Sequence, residues 1–325
     1  MKKILFINFI FIIFIISFLE IAARFFNLSN LMGIDQGLIY EKNDNYFNVP
    51  NSTGLIFDAK VFIDENGYRV PSESFKYDGY KNILFIGDST TFGNGVIEEE
   101  TFVGILRKDF KKLNFINTAV LGHQIKNYEK KLNIFKEFKN VEKIIYVITL
   151  NDVFSSSNIS NLANEKKADL ERSNEFWTKL REVKIVEKIN FTMRNKSYLY
   201  MYIKGKFSDP SKRWFMHINK FYKENEIFSL KDLILKLKEI PNAELYIVTL
   251  PYEYQTRKCS EDDLYPQKKI EKLLSDIKIN YFDFTKYFCD SNNPKNKFYK
   301  FDPMHLSYEG HKFVHELLKD KIKFN

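Results

Sequence analysis

Asn82-Ile83-Leu84-Phe85-Ile86-Gly87-Asp88 is a short, β-rich apolar run that stops at a glycine and a carboxylate. Four more runs of the same kind follow it: LNFINTAV (113–120), KIIYVITL (143–150), AELYIVTL (243–250) and INYFDFT (279–285). Near-continuous apolar runs suit strands buried on both faces of a parallel sheet. Between them the pattern changes to amphipathic stretches, which predict helices over about 98–110, 124–139, 228–240 and 266–278, and a last helix from Ser307. Strand and helix alternating in this way predict an α/β fold, a three-layer α/β/α sandwich around a parallel sheet of about five strands joined by right-handed crossovers.

Composition agrees with a packed domain and narrows the function. The chain has 325 residues, 44% of them hydrophobic, with 12 Gly, 8 Pro and 2 Cys. These values exclude a wholly disordered chain, a collagen-like fibre and a disulfide-dense mini-protein. Fifty Lys and Arg against 42 Asp and Glu leave a net charge of +8. That excess would favour an anionic partner, but no Arg-rich cluster or nucleic-acid motif accompanies it, and Lys pairs such as Lys111-Lys112 read as solvated helix faces. Nucleic acid is not an expected partner.

Outward from the sheet, the N-terminal segment MKKILFINFIFIIFIISFLEIAARFF (1–26) is long enough to cross a bilayer as a helix. A cleaved signal peptide is the rival reading. Its small-x-small site is poorly matched by Ile21-Ala22-Ala23, with Glu20 and Arg24 beside it, so an uncleaved signal anchor is favoured. Lys2 and Lys3 place the N-terminus in the cytoplasm and the rest of the chain outside it, in a periplasm or on a cell surface. In that compartment Cys259 and Cys289, both in loop-like stretches, are expected to pair, the alternative being two small hydrophobes packed apart. Residues 27–80 read as a juxtamembrane accessory segment that packs on the main domain, with Asn66-Gly67 a turn between two strand-like runs. The main domain spans 81–325. It contains far more residues between Val153 and Pro241 than a crossover needs, which predicts a helical insertion at about 154–235, serving as scaffold or as a substrate cap.

In an open α/β sheet, ligands bind beyond the carboxyl ends of the strands. There the sequence places Gly87-Asp88-Ser89, then Leu121-Gly122, then Asn151-Asp152, and finally Asp302-Pro303-Met304-His305. A serine hydroxyl is a weak nucleophile that needs an adjacent base, and the base needs a third group to fix its tautomer. Ser89, His305 and Asp302 fit those roles, Pro303 stiffening the turn that lets Asp302 and His305 come from one loop. The backbone N–H groups of Ser89 and Gly122 and the Asn151 amide are candidate donors to an oxyanion.

In these four blocks the chain resembles the SGNH hydrolases, the GDSL esterases and lipases. Gly87-Asp88-Ser89 matches the first block, Asn117 to Gly122 the second, Asn151-Asp152 the third and Asp302 to His305 the last, in the family's order over about residues 82–320. The resemblance implies a flavodoxin-like sheet, Ser89 as nucleophile, His305 as general base, Asp302 as its orienter, and an oxyanion hole of Ser89, Gly122 and Asn151. One departure is that Ile148-Thr149-Leu150 precede Asn151 without the glycine usual in the third block. Other polar residues have plainer readings: Asp88 braces the nucleophile loop, Asp152 caps a turn and His123 is incidental to the pocket. His311 and His315 are either a metal pair or, as preferred, an ordinary helix surface.

These readings combine into a membrane-anchored, extracytoplasmic serine esterase that hydrolyses small acyl esters, acetyl foremost, on a cell-envelope or secreted carbohydrate, with no metal or cofactor required. The alternatives are an O-acyltransferase that passes the acyl group to a glycan hydroxyl, and a catalytically impaired carbohydrate-binding or assembly protein.

Overall fold

A computed structural model describes residues 2–35, 37–153 and 184–324 of the chain. Helix α1 (Lys2–Phe25) leads into a small hairpin of β1 (Ile39–Lys42) and β2 (Asn45–Asn48). Three short strands follow, β3 (Thr53–Ile56), β4 (Ala59–Ile63) and β5 (Arg69–Val70), and then the alternating region begins. It comprises β6 (Lys81–Ile86), α2 (Ser89–Phe92), α3 (Phe102–Asp109), β7 (Leu113–Asn117), α4 (Ile125–Glu137) and β8 (Val141–Ile148). After α5 (Lys184–Lys196), α6 (Tyr198–Phe207) and α7 (Pro210–Glu224), alternation resumes with α8 (Phe228–Lys238), β9 (Glu244–Thr249), α9 (Tyr265–Leu274), β10 (Asn280–Asp283), α10 (Thr285–Asp290) and α11 (Tyr308–Lys321).

The five expected strands are parallel neighbours in the order β10-β9-β8-β6-β7, the flavodoxin-like arrangement in which the first strand sits between the second and third. Residues 53–70 extend this sheet rather than only packing on it: β5 pairs antiparallel with β7 at Arg69 and Asn117, and β4 and β3 continue outward. The turn that makes this possible is Asn66-Gly67, where Gly67 adopts φ +82° and the Asp64 carboxylate accepts the N–H groups of Asn66 and Tyr68 at 2.9 and 2.8 Å.

Strand periodicity divides the core. Leu84 and Ile86 of β6 face one side, with Ile144, Tyr146 and Ile148 of β8, under α4, α7, α8 and α9. Ile83 and Phe85 face the other, with Ile145 and Val147, under α3, α10 and α11. Burying a Leu, Ile or Phe side chain contributes about 1.5–3 kcal/mol, so two continuous apolar layers explain why these strands show no polar alternation.

Residues 154–183 of the expected insertion, with its EFWTKL stretch, lie outside the described residues. In the part described, α7 sinks Phe215, Ile218 and Tyr222 into the core of the sheet, whereas α5 and α6 reach toward α1. The apolar side chains of α1 from Ile4 to Leu19 are exposed, and Lys3–Phe25 is long and apolar enough to cross a membrane. Its last turns dock: the Glu20 carboxylate accepts from Ser197 Oγ at 2.7 Å and from the N–H groups of Tyr198 and Leu199 at 3.0 Å, capping α6, while Arg24 donates to the Lys196 carbonyl at 2.5 Å.

Cys259 and Cys289 form a disulfide with Cα atoms 6.1 Å apart, closing the excursion between β9 and α10. A bridge across 30 residues restricts the unfolded chain by about 3–4 kcal/mol of loop entropy. Cys259→Ala with Cys289→Ala should therefore lower the unfolding free energy by about that amount in urea titrations. Reduction of the wild-type protein should reproduce the loss, and equal midpoints with and without reductant would contradict it.

Candidate active site

The site lies where the parallel strands end. Beyond β6 the chain turns sharply at Gly87, where an added Cβ would stand 2.1 Å from Thr91 Oγ1, and enters α2 at Ser89. Asp88 caps this helix, its carboxylate accepting from Thr90 N–H at 2.9 Å. Gly93 ends it in the left-handed region with φ +89°. As the first residue of the helix, Ser89 has a backbone N–H with no intrahelical acceptor, and its side chain is almost buried.

Ser89 Oγ lies 2.9 Å from His305 Nε2, and His305 Nδ1 lies 2.9 Å from Asp302 Oδ2. A carboxylate only accepts, so Nδ1 carries the proton toward Asp302, and Nε2 is left to accept from the Ser89 hydroxyl. The other oxygen, Asp302 Oδ1, accepts from the backbone N–H groups of Met304 and His305 at 2.9 and 2.7 Å. That pair of hydrogen bonds to the turn explains the spacing of Asp302 and His305: one carboxylate both builds the loop and orients the imidazole. Ser211 of α7 donates to the Asp302 carbonyl at 2.9 Å and holds the loop from outside.

Burial works against a charged imidazole at His305. The Asp302 charge, its hydrogen bond and the Asp88 charge outweigh burial, so the His305 pKa is raised above its ordinary 6.5. The Phe57 ring stands edge-on to His305 at 5.3 Å between centroids.

Asn151 is fixed from both ends. Its Nδ2 donates to Asp88 Oδ2 at 3.2 Å and its Oδ1 accepts from the Tyr252 hydroxyl at 2.8 Å, leaving the second amide N–H for another acceptor. Thr149, in the stretch that lacks the usual glycine, donates its hydroxyl to the same Asp88 oxygen at 2.8 Å. Gly122 has φ +73° and open space where a Cβ would stand, and its loop is tied to the nucleophile turn by Val120 N–H on the Gly87 carbonyl at 3.4 Å. Asn117 of the same block donates to the Thr91 carbonyl at 2.9 Å.

The remaining polar residues have structural positions. Asp88 does brace the loop. Asp152 is fully buried and accepts from the Tyr146 hydroxyl at 2.9 Å; burial and the Asp88 charge push its carboxyl well above the usual range. His123 is buried, with Nε2 donating to the Tyr46 carbonyl at 2.7 Å, and burial lowers its pKa to about 3. His311 and His315 correct the sequence reading: both are buried against α3, not on an ordinary helix surface. His311 Nδ1 accepts from Phe102 N–H at 3.3 Å and His315 Nε2 lies 2.9 Å from Asp109 Oδ2. Among the described residues, no group of three or more His, Cys, Asp or Glu could hold a metal ion.

Two residues at the site escape sequence reasoning. Asn94 is buried with its Nδ2 3.4 Å from His305 Nε2, the only local signal being the flanking Gly93 and Gly95. Arg69 is fully buried and donates Nη1 to the carbonyls of Phe92 and Gly93, both at 2.6 Å, and Nη2 to that of Val96, packing over the Phe92 ring. Burial draws its pKa down to about 10, although the Glu98 and Glu99 charges favour the cation. Alongside Asp302 and His305 opens a cavity of about 370 Å³, lined by side chains including Phe57, Met201, Trp214 and Met304.

No protein-family model and no curated protein matches the sequence. Solved structures similar to the chain include a lipolytic G-D-S-L protein from Veillonella parvula, 12% identical over 74% of this chain and 97% of that one, with a TM-score of 0.43. A lipase/acylhydrolase from Enterococcus faecalis is 14% identical over 75% and 97% of the two chains, with a TM-score of 0.43. A catalytic mutant of an acetylxylan esterase from Geobacillus stearothermophilus is 12% identical over 77% and 98%, with a TM-score of 0.41.

Arg69→Met should remove the guanidinium from the carbonyls of Phe92, Gly93 and Val96, leaving that of Gly93 only the Val96 N–H at 3.4 Å, and lower the unfolding free energy by about 3–5 kcal/mol. Denaturant titration measures this; a loss under 1 kcal/mol, within the range of ordinary surface substitutions, would show that the loop holds without it.

Proposed function

We propose that this chain is a membrane-anchored serine esterase that removes small acyl groups, acetyl foremost, from a carbohydrate of the cell envelope or one secreted from the cell. The observation that carries the reading is the continuous relay from Ser89 Oγ through His305 to Asp302, with both hydrogen bonds at 2.9 Å.

In this reading Ser89 Oγ attacks the acyl carbon as its proton passes to His305 Nε2. The carbonyl oxygen gains charge in the tetrahedral intermediate and is met by the N–H groups of Ser89 and Gly122 and the second amide N–H of Asn151. Each such donor contributes roughly 2.7–4 kcal/mol of barrier reduction. His305 then gives the proton to the departing alcohol, and the acyl group stays on Ser89. Water attacks the acyl-enzyme with His305 again as base, and the acid leaves as Ser89 is restored.

The docking of α1 supports a retained anchor. Cleavage after Ala23 would remove Glu20, which caps α6, and Ala23, which is buried. Lys2 and Lys3 precede the apolar stretch, supporting a cytoplasmic N-terminus and a catalytic domain outside the cytoplasm.

Ser89→Ala should lower kcat on a chromogenic acetyl ester by at least about 10³-fold with an unchanged unfolding midpoint; retained turnover would refute the mechanism. The base must be neutral, so a raised His305 pKa places the acidic limb of the kcat/KM profile above pH 6.5, with activity lost as pH falls through it. Asp302→Asn removes the charge that opposes burial. It should move that limb to lower pH and reduce kcat by roughly 10³–10⁴-fold, and a limb left in place would assign the titration to another group.

A further inference from the structure

Among the described residues, three arginines are neutralised by carboxylates and a fourth, Arg69, is enclosed by backbone carbonyls. Arg24 pairs with Glu20, Arg107 with Glu98, and Arg257 with both Asp209 and Glu253. Arg194 of α5 and Arg213 of α7 are different. Both line the cavity beside His305, and among the described residues neither has a carboxylate within ion-pair distance. Among the described residues, the Arg194 guanidinium donates to the Met32 sulfur at 3.6 Å, a weak acceptor.

Lys204 of α6 also lines this cavity, and its ammonium donates to Asn190 Oδ1 at 2.9 Å. Among the described residues, the one carboxylate in the lining is Asp302, whose two oxygens are committed to His305 and its own turn. Much of the remaining wall is apolar, supplied by Met32, Phe57, Met201 and Trp214 among others. Low-dielectric walls around charges of one sign focus the field into the cleft and raise the local concentration of the opposite ion.

On the esterase reading above, we propose that this cavity is an anion-binding subsite: the substrate is an acyl ester whose alcohol part carries a negative charge, held by Arg194 and Arg213 while its carbonyl meets Ser89. A cavity of about 370 Å³ falls in the size range of small-molecule pockets and has room for a charged sugar unit. Guanidinium is suited to this role because its planar fork matches the oxygens of a carboxylate, phosphate or sulfate.

The test uses the full chain in detergent with three acetyl esters of similar shape: meta-acetoxybenzenesulfonate, neutral meta-acetoxybenzamide and cationic meta-acetoxyphenyltrimethylammonium. The wild-type protein should show its lowest KM for the sulfonate and its highest for the ammonium ester, with the gap closing as salt is raised. In Arg194→Ala or Arg213→Ala the advantage of sulfonate over benzamide should shrink roughly tenfold. No charge preference in the wild type, or a preference that survives in both variants, would overturn the proposal. If the wild type hydrolyses none of the three, the esterase reading fails, and calorimetric titration with meta-hydroxybenzenesulfonate decides the subsite separately. Saturable binding weakened in both variants would support it, and no binding to the wild type would overturn it.

Discussion

The buried carboxylate of Asp88 is the group on which the geometry of the site depends. It stands just beyond β6, fully enclosed, and accepts from Thr90 N–H, Thr149 Oγ1 and Asn151 Nδ2. Enclosing a carboxylate costs several kcal/mol unless its lone pairs are filled, and here three donors from two loops fill them. The consequence is positional. One charge sets the start of α2, and with it Ser89, and also sets the orientation of the Asn151 amide. Asp152 next to it accepts from the Tyr146 hydroxyl and lies 3.2 Å from Thr149 Oγ1, and burial with the Asp88 charge raises its pKa well above the usual carboxyl range.

The nucleophile turn is held from its other end by Arg69. A buried guanidinium is costly, and the carbonyls of Phe92, Gly93 and Val96 offset that cost only because β5 delivers the side chain to the point where α2 ends. The three antiparallel strands therefore have a role beyond widening the sheet. Through Arg69 they fix the segment between Ser89 and Val96, which also carries Asn94 toward His305.

Much of this architecture could be read in the sequence because it is written locally. Four of the five parallel strands are apolar runs leading into a glycine, a carboxylate or an amide, at Gly87, Asn117, Asn151 and Asp283, and strand ends are where α/β sheets place their chemistry. Asp302 and His305 could be found together because three residues separate them and the carboxylate caps the turn between. What the sequence withheld depends on contacts distant along the chain. Arg69 meets its carbonyls across more than twenty residues, and Glu20 caps a helix that begins at Tyr198. His311 and His315 looked like a solvent-facing pair at helical spacing, but whether such a face meets water or α3 is decided by packing. The disulfide, by contrast, was legible from the expected compartment and the polar surroundings of its two cysteines, and the fold brings their Cα atoms within 6.1 Å.

The cavity beside His305 joins three parts of the chain that are far apart in sequence: the segment after α1 through Met32 and Ile34, helices α5 to α7, and the loop of Asp302 and His305. Helix α6 is gripped at its first residues by Glu20, and Met201, Lys204 and Gly205 further along it line the cavity. Gly205 allows that approach, since a Cβ there would stand 2.3 Å from the Phe301 ring. All of this matters for chemistry only if Ser89 is a nucleophile made reactive by His305. Treatment of the folded protein with a fluorophosphonate probe, followed by peptide mass spectrometry, tests that directly. The expected result is one adduct on Ser89 that disappears in His305→Ala; well-folded wild-type protein with an unmodified Ser89 would contradict it.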